Sequence, residues 1–338
     1  MPSITNIVSK YLGHHEERKS IPVRLYVCVV CTDLRAAKPP PITTGTAAAL
    51  LVIYTLVYVL PFYLSPVTRP SKALSRDAPS VIRARITSVS FSCVACSIAT
   101  LVILTSQGQA TYADALHSMG YWPLGLVGTA KSLLLTAILF LGPLYEALVV
   151  DEGWRDWTSL QPVTALFKEW TTWRNIIAGP FTEEVLFRSA SVPLMVLAHT
   201  SVAKTIFLSP VIFGLAHLHH FYEFRISHPG VPVMAAIMRS LLQLTYTSLF
   251  GAYATFVYLR TGSLLAIFVV HAFCNCMGFP RFWGRVEPSV SVSGDSPNKP
   301  SILPSIIYYT LLCVGAFFWW KNLGTLTKNP GELIPITI

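Results

Sequence analysis

The chain has 338 residues, 53 % of them apolar and only 12 % charged, with 25 Lys and Arg against 16 Asp and Glu for a net charge of +9. A soluble domain carries roughly 25 % charged residues, so the composition excludes an ordinary soluble enzyme and predicts an all-α, polytopic bundle of about eight transmembrane helices, the usual way to satisfy backbone groups in lipid. The positive balance comes without a basic stripe interleaved with aromatics, which argues against nucleic acid as a partner and for cationic loops on the cytoplasmic side of a membrane.

Residues 1–42 do not resemble a cleaved signal peptide. The apolar run 21–31 is too short to span and is followed by Asp33, Arg35 and three prolines. They are read as an N-terminal extension with an interfacial first segment, ahead of a membrane domain over 43–325 and a short C-terminal tail over 326–338. Within the domain, residues 44–64 form the first predicted span. Arg69, Lys72, Arg76, Arg83 and Arg85 then stand against a single acid, Asp77, and the positive-inside rule places this loop in the cytoplasm.

Residues 86–105 are the second span, 106–120 a polar luminal loop, and 122–149 a third long apolar segment. Residues 151–175 change character: Trp154, Trp157, Trp170 and Trp173 are interleaved with Arg155, Asp156, Lys168, Glu169 and Arg174, the mix of a segment lying among headgroups. Further apolar helices are predicted over 183–200, 202–220, 231–259, 264–279 and 302–320, with a loop over 280–304.

The cysteine count of seven is odd and the positions are scattered. Cys28/Cys31 and Cys93/Cys96 have metal-site or redox spacing, but Cys93 and Cys96 fall inside an apolar helix, where cysteine acts as a small hydrophobe.

Three polar islands stand out: Glu183-Glu184-Val185-Leu186-Phe187-Arg188, Phe213-Gly214-Leu215-Ala216-His217-Leu218-His219-His220, and His271-Ala272-Phe273-Cys274-Asn275. Ionisable groups in an apolar chain are costly and mark a functional site by default. On a helix Glu184 and Arg188 share a face and can pair, while Glu183 lies about 100° away and is left free. Amide hydrolysis needs a base to activate water and donors to receive the oxyanion. Glu183 with an imidazole supplies the first, and His271 with Asn275, four apart on one face, supplies the second. His220, three residues beyond His217, stacks beside it or sits at the helix end. Glu183, His217 and His271 also make a legal set of zinc ligands, although no HExxH is present. Metal-assisted and metal-free hydrolysis both stay open at this point, as do a transporter using the charges as an ion path and a non-catalytic scaffold.

These islands, in this order, match EExxxR, FxxxH and HxxxN, and the chain resembles the type II CAAX prenyl endopeptidase family, the Ras-converting branch of the ABI membrane proteases. Arg76-Asp77-Ala78-Pro79-Ser80-Val81-Ile82, Trp173-Arg174-Asn175 and Leu249-Phe250-Gly251-Ala252-Tyr253-Ala254-Thr255-Phe256 are similar to its eukaryotic members, and the likeness runs over about 44–320. The resemblance implies a glutamate protease with neither metal nor cofactor, which cuts after a prenylated cysteine and releases the last three residues of a CAAX protein. Its partners would be prenylated proteins such as Ras-like small GTPases, together with membrane lipid; oligomeric state is left undetermined. The implied location is the endoplasmic reticulum membrane, with the site open to the cytosol. Carried over by motif, Glu183 and His217 activate the water and His271 and Asn275 form the oxyanion hole. Glu184 and Arg188 would order the site. Outside the motif carry-over, Arg188 is a candidate for the substrate's terminal carboxylate and His220 a further candidate for ordering the site or binding substrate. A zinc protease of the same substrate class is the alternative.

Overall fold

The computed structural model describes residues 39–288 and 301–336, and the expectations for 1–38 and for the middle of the 280–304 loop lie outside them. The described residues contain helices and no strand. We label α1 Thr44–Val59, α2 Pro79–Ser106, α3 Leu126–Leu139, α4 Gly179–Glu184, α5 Val192–Leu197, α6 Val202–Ala216, α7 His219–Ser227, α8 Val233–Thr261, α9 Leu264–Met277 and α10 Leu303–Thr327.

Five stretches are long and apolar enough to cross a membrane: Thr44–Leu64, Pro79–Ser106, Val202–Ser227, Val233–Thr261 and Leu303–Thr327. The chain is thus a multi-pass helical membrane protein. Its outward apolar side chains, such as Phe91 and Leu249, are what a lipid-facing surface requires.

Three expected spans differ in form. The 122–149 segment is a bent pair, α3 followed by Leu141–Val150 at 81°. The break falls where Gly142 and Pro143 follow Phe140, and Pro143 offers no N–H to continue the ladder. The 183–200 segment is α4, a π-helical turn over Val185–Ala190, and α5, which opens on Pro193. The 264–279 segment is α9, apolar but only 14 residues long. In addition, α2 begins at Pro79, so Arg83 and Arg85, expected in the loop, stand on its first turns. Pro at the first helical position explains the early start, because the N–H it lacks would be unpaired there anyway.

Packing converges on α4 to α9. Gly214 of α6 lies so close to α8 that a Cβ there would sit 2.6 Å from Leu244 Cδ1 and 2.9 Å from Ser248 Oγ. Beyond α10 the chain folds back along α8: the Leu333 amide donates to Leu259 O at 2.8 Å, and Ile334 is buried in the core. Arg260, 5 % exposed, holds this return by bonds to Glu332 (2.9 Å), Ile336 O (2.9 Å) and Gly324 O (3.1 Å). The headgroup-type segment forms short helices, Trp154–Thr158, Gln161–Lys168 and Trp170–Trp173, with Trp154, Trp157 and Trp170 exposed.

Candidate active site

The two adjacent glutamates meet opposite environments. Glu184, the last residue of α4, is fully buried; its Oε1 accepts from Arg188 Nη1 at 2.9 Å and from His271 Nδ1 at 2.6 Å. A carboxylate at this depth is stable only when paired and hydrogen-bonded. Arg188 is 1 % exposed, and its guanidinium also donates to Gly251 O at 3.4 Å and lies over the rings of Phe213 and Phe250. The π turn carries Arg188, and the expected Glu184–Arg188 pair forms in spite of the altered pitch. Such turns are frequent at functional sites. Arg188, the expected candidate for a substrate's terminal carboxylate, is enclosed here by Glu184 and two aromatic rings.

Glu183 keeps a quarter of its side chain exposed. Its Oε2 stands 3.9 Å from His271 Nε2, beyond hydrogen-bonding range, so the carboxylate is uncommitted. His271, on α9, thus lies between the two glutamates. Its Nδ1 is used by Glu184, Phe250 packs on its ring at 4.6 Å between centroids, and its Nε2 faces the free carboxylate.

His217 caps the C-terminus of α6, where the chain turns into α7. Its Nδ1 lies 3.3 Å from Phe213 O. A carbonyl only accepts, so Nδ1 carries the hydrogen and Nε2 is left as the basic nitrogen. Phe213 packs edge-on against His217 and beneath Arg188, which joins this histidine to the Glu184 cluster.

Asn275, four residues beyond His271, is at the exposed end of α9, and its Nδ2 donates to Asn175 O at 2.9 Å. An amide nitrogen has two hydrogens, so one remains for a further acceptor. His220, at the start of α7, meets His217 edge-on and not stacked, with ring centroids 5.7 Å apart, and its Nδ1 is 3.2 Å from Glu223 Oε2. Glu223 was not legible as part of this site: it is 4 % exposed and held by Arg85 at 2.7 Å and Arg76 at 3.3 Å. An acid inside an apolar stretch was the available signal.

Among the described residues, the set whose ligand atoms all lie within 4.8 Å of one another is His219, His220 and Glu223; Glu183, His217 and His271 are not gathered in this way. The Glu223 carboxylate already faces two guanidinium groups, whose charge opposes a divalent cation. Cys93, buried in α2, donates to Thr182 O at 3.2 Å, and Cys93 and Cys96 are both free thiols.

The family described as type II CAAX prenyl endopeptidase, Rce1-like, matches residues 165–277, which contain all three islands. The probable CAAX prenyl protease 2 of Schizosaccharomyces pombe is 36 % identical over 82 % of this chain and 92 % of its own length. CAAX prenyl protease 2 of Arabidopsis thaliana is 33 % identical over 75 % of this chain and 86 % of the relative. For the human CAAX prenyl protease 2 the figures are 34 %, 63 % and 66 %. No solved structure matches this chain. With the glutamate pair, the two histidines and the asparagine set on apolar helices, and with these relatives aligned along most of its length, the chain belongs to the type II CAAX prenyl endopeptidase family.

Proposed function

We propose that the chain is an intramembrane endopeptidase that removes the C-terminal tripeptide from prenylated CAAX proteins by metal-independent glutamate chemistry. One observation carries the mechanistic reading: the fold commits Glu184 to Arg188 and His271 and leaves Glu183 uncommitted, 3.9 Å from His271 Nε2. A structural acid and an available base are what the reaction needs side by side.

In this mechanism a water donates its protons toward Glu183 and His217 Nε2, and its oxygen attacks the carbonyl carbon after the prenylated cysteine. The carbonyl oxygen becomes an oxyanion and receives hydrogen bonds from His271, through Nε2, and from the second Nδ2 hydrogen of Asn275. The C–N bond then breaks as the proton held by Glu183 passes to the leaving amine, and the proton held by His217 follows, so the tripeptide leaves as its ammonium form and both bases are restored. The products are a prenylcysteine carboxylate and a free tripeptide. Glu184 and Arg188 hold His271 in register, and His220 supports His217.

Substrates of the Ras-like small GTPase class, residence in the endoplasmic reticulum membrane and access from the cytosol belong to the same reading. The cationic segment through Arg69, Lys72 and Arg76 supports it, since such loops stay on the cytoplasmic side. A site within the membrane also spares the prenyl chain extraction into water, at about 0.8 kcal/mol per CH₂.

The test is tripeptide release from a farnesylated CAAX peptide and from its unprenylated twin, using the protein in liposomes. Wild type is expected to cleave only the farnesylated peptide, with Glu183→Ala and His217→Ala inactive although folded. Undiminished cleavage by Glu183→Ala would refute the assigned base.

A further inference from the structure

Arg76 and Asp77 are neighbours on the loop between α1 and α2, yet they hold opposite sides of the site. The Arg76 Nη1 atom lies 3.3 Å from Glu223 Oε2, and Arg85 secures the other oxygen at 2.7 Å. Glu223 Oε2 meets His220 Nδ1 at 3.2 Å, and the His220 ring rests against His217. On the other arm, Asp77 Oδ1 accepts from Arg174 Nη1 at 2.7 Å, and that nitrogen also reaches Arg76 O at 3.4 Å. The Arg174 Nε atom donates to Asn175 Oδ1 at 3.0 Å, and Asn175 O receives Asn275 Nδ2 at 2.9 Å. One arm ends on the water-activating histidine, the other on the oxyanion amide.

The energetics ask for an explanation beyond stability. The Arg174–Asp77 pair lies towards the surface, with Asp77 55 % exposed, and exposed ion pairs add little to folding. Glu223, by contrast, is buried on a helix otherwise fit to cross a membrane, where an acid is costly. His217 stands at a helix end and Asn275 at the exposed end of α9, so neither is fixed by surrounding core as Glu184 is. Catalytic groups on separate helices lose rate steeply with small misplacement.

We propose that Arg76 and Asp77 form a two-armed clasp whose function is positioning: through Glu223 and His220 it sets His217, and through Arg174 and Asn175 it sets Asn275. The clasp rests on the catalytic roles given above to His217 and Asn275. It assigns work to two stretches, 76–82 and 173–175, that the hydrolytic mechanism leaves unused.

The experiment uses the full-length protein in liposomes and a farnesylated CAAX peptide, with kcat referred to folded protein. Arg76→Gln and Asp77→Asn are each expected to lower kcat by about 5- to 50-fold, with KM and the thermal midpoint nearly unchanged. Asp77→Glu, which keeps the carboxylate, should recover most of the Asp77→Asn loss. Asp77→Asn combined with Arg174→Gln should cost no more than the worse single change, because both cut one arm. Arg76→Gln combined with Asp77→Asn should multiply, because they cut different arms. Singles with kcat within twofold of wild type, or a loss confined to KM or stability, would overturn the clasp. His217→Ala and Asn275→Ala controls run in parallel separate the two readings. If both are inactive while the clasp variants turn over normally, the clasp alone fails; if either is fully active, the catalytic assignment beneath that arm fails.

Discussion

Replacing each of the adjacent glutamates by glutamine should give opposite phenotypes. In Glu184→Gln the shape is kept and the charge removed: the amide oxygen can still accept from Arg188, but the guanidinium, 1 % exposed, loses its counter-charge, with only neutral partners left in that oxygen, Gly251 O at 3.4 Å and two ring faces. Breaking a buried ion pair from one side costs about 3–5 kcal/mol, and desolvated cation–π contacts worth about 2 kcal/mol already act in the wild type, so they offset none of the loss. At about 2–4 °C per kcal/mol the thermal midpoint falls by roughly 10 °C. Glu183 makes no hydrogen bond that glutamine would break and keeps 25 % of its side chain exposed, so Glu183→Gln should shift the midpoint by less than about 2 °C. Its turnover should drop about 10²- to 10⁴-fold, the range for loss of a general base. The assay is thermal unfolding of the purified variants in detergent, paired with tripeptide release from the same preparations. A Glu183→Gln protein as unstable as Glu184→Gln, or a Glu184→Gln protein as stable as wild type, would refute the division of labour.

Three further outcomes follow from packing and exposure. Gly251→Val should lower stability by about 1–3 kcal/mol and turnover with it, because a Cβ there meets Pro210 Cβ at 2.6 Å and Arg188 Nη2 at 3.1 Å; normal thermal stability would contradict this. Arg260→Ala should lower the midpoint while kcat per folded molecule holds, since its bonds to Glu332, Ile336 O and Gly324 O anchor the C-terminal return away from the islands. A change in kcat at unchanged stability would argue otherwise. A membrane-permeant maleimide should label Cys276, which is exposed, well before the buried Cys93. Mass spectrometry of the labelled protein reads the order directly.

The fold class and much of the site could be read from the residues. Low charge and long apolar runs required membrane helices, and the i, i+4 spacing of Glu184 and Arg188 anticipated the pair seen at 2.9 Å. The π turn at Val185–Ala190 was not legible, because a one-residue widening of the helix leaves no distinct composition. The same holds for the His271–Glu184 bond, which joins residues 87 positions apart and depends on how α4 and α9 pack. Spacing paired Arg188 with Glu184, but only tertiary packing reveals that Phe213 and Phe250 enclose it. The 122–149 segment read as one continuous apolar stretch, and its 81° bend after Leu139 is a property of the folded chain. Likewise the Arg76–Asp77 loop read as a topology signal, and its contact with Glu223, 147 residues away, is a property of the folded chain.

In the proposed mechanism Glu183 activates the water without a metal ion. This is tested most directly by tripeptide release from a farnesylated CAAX peptide after exhaustive dialysis against a chelator, with and without added zinc. The account predicts wild-type release undiminished by the chelator, unaltered by zinc, and absent in Glu183→Gln. Release that stops with the chelator and returns with zinc would contradict it.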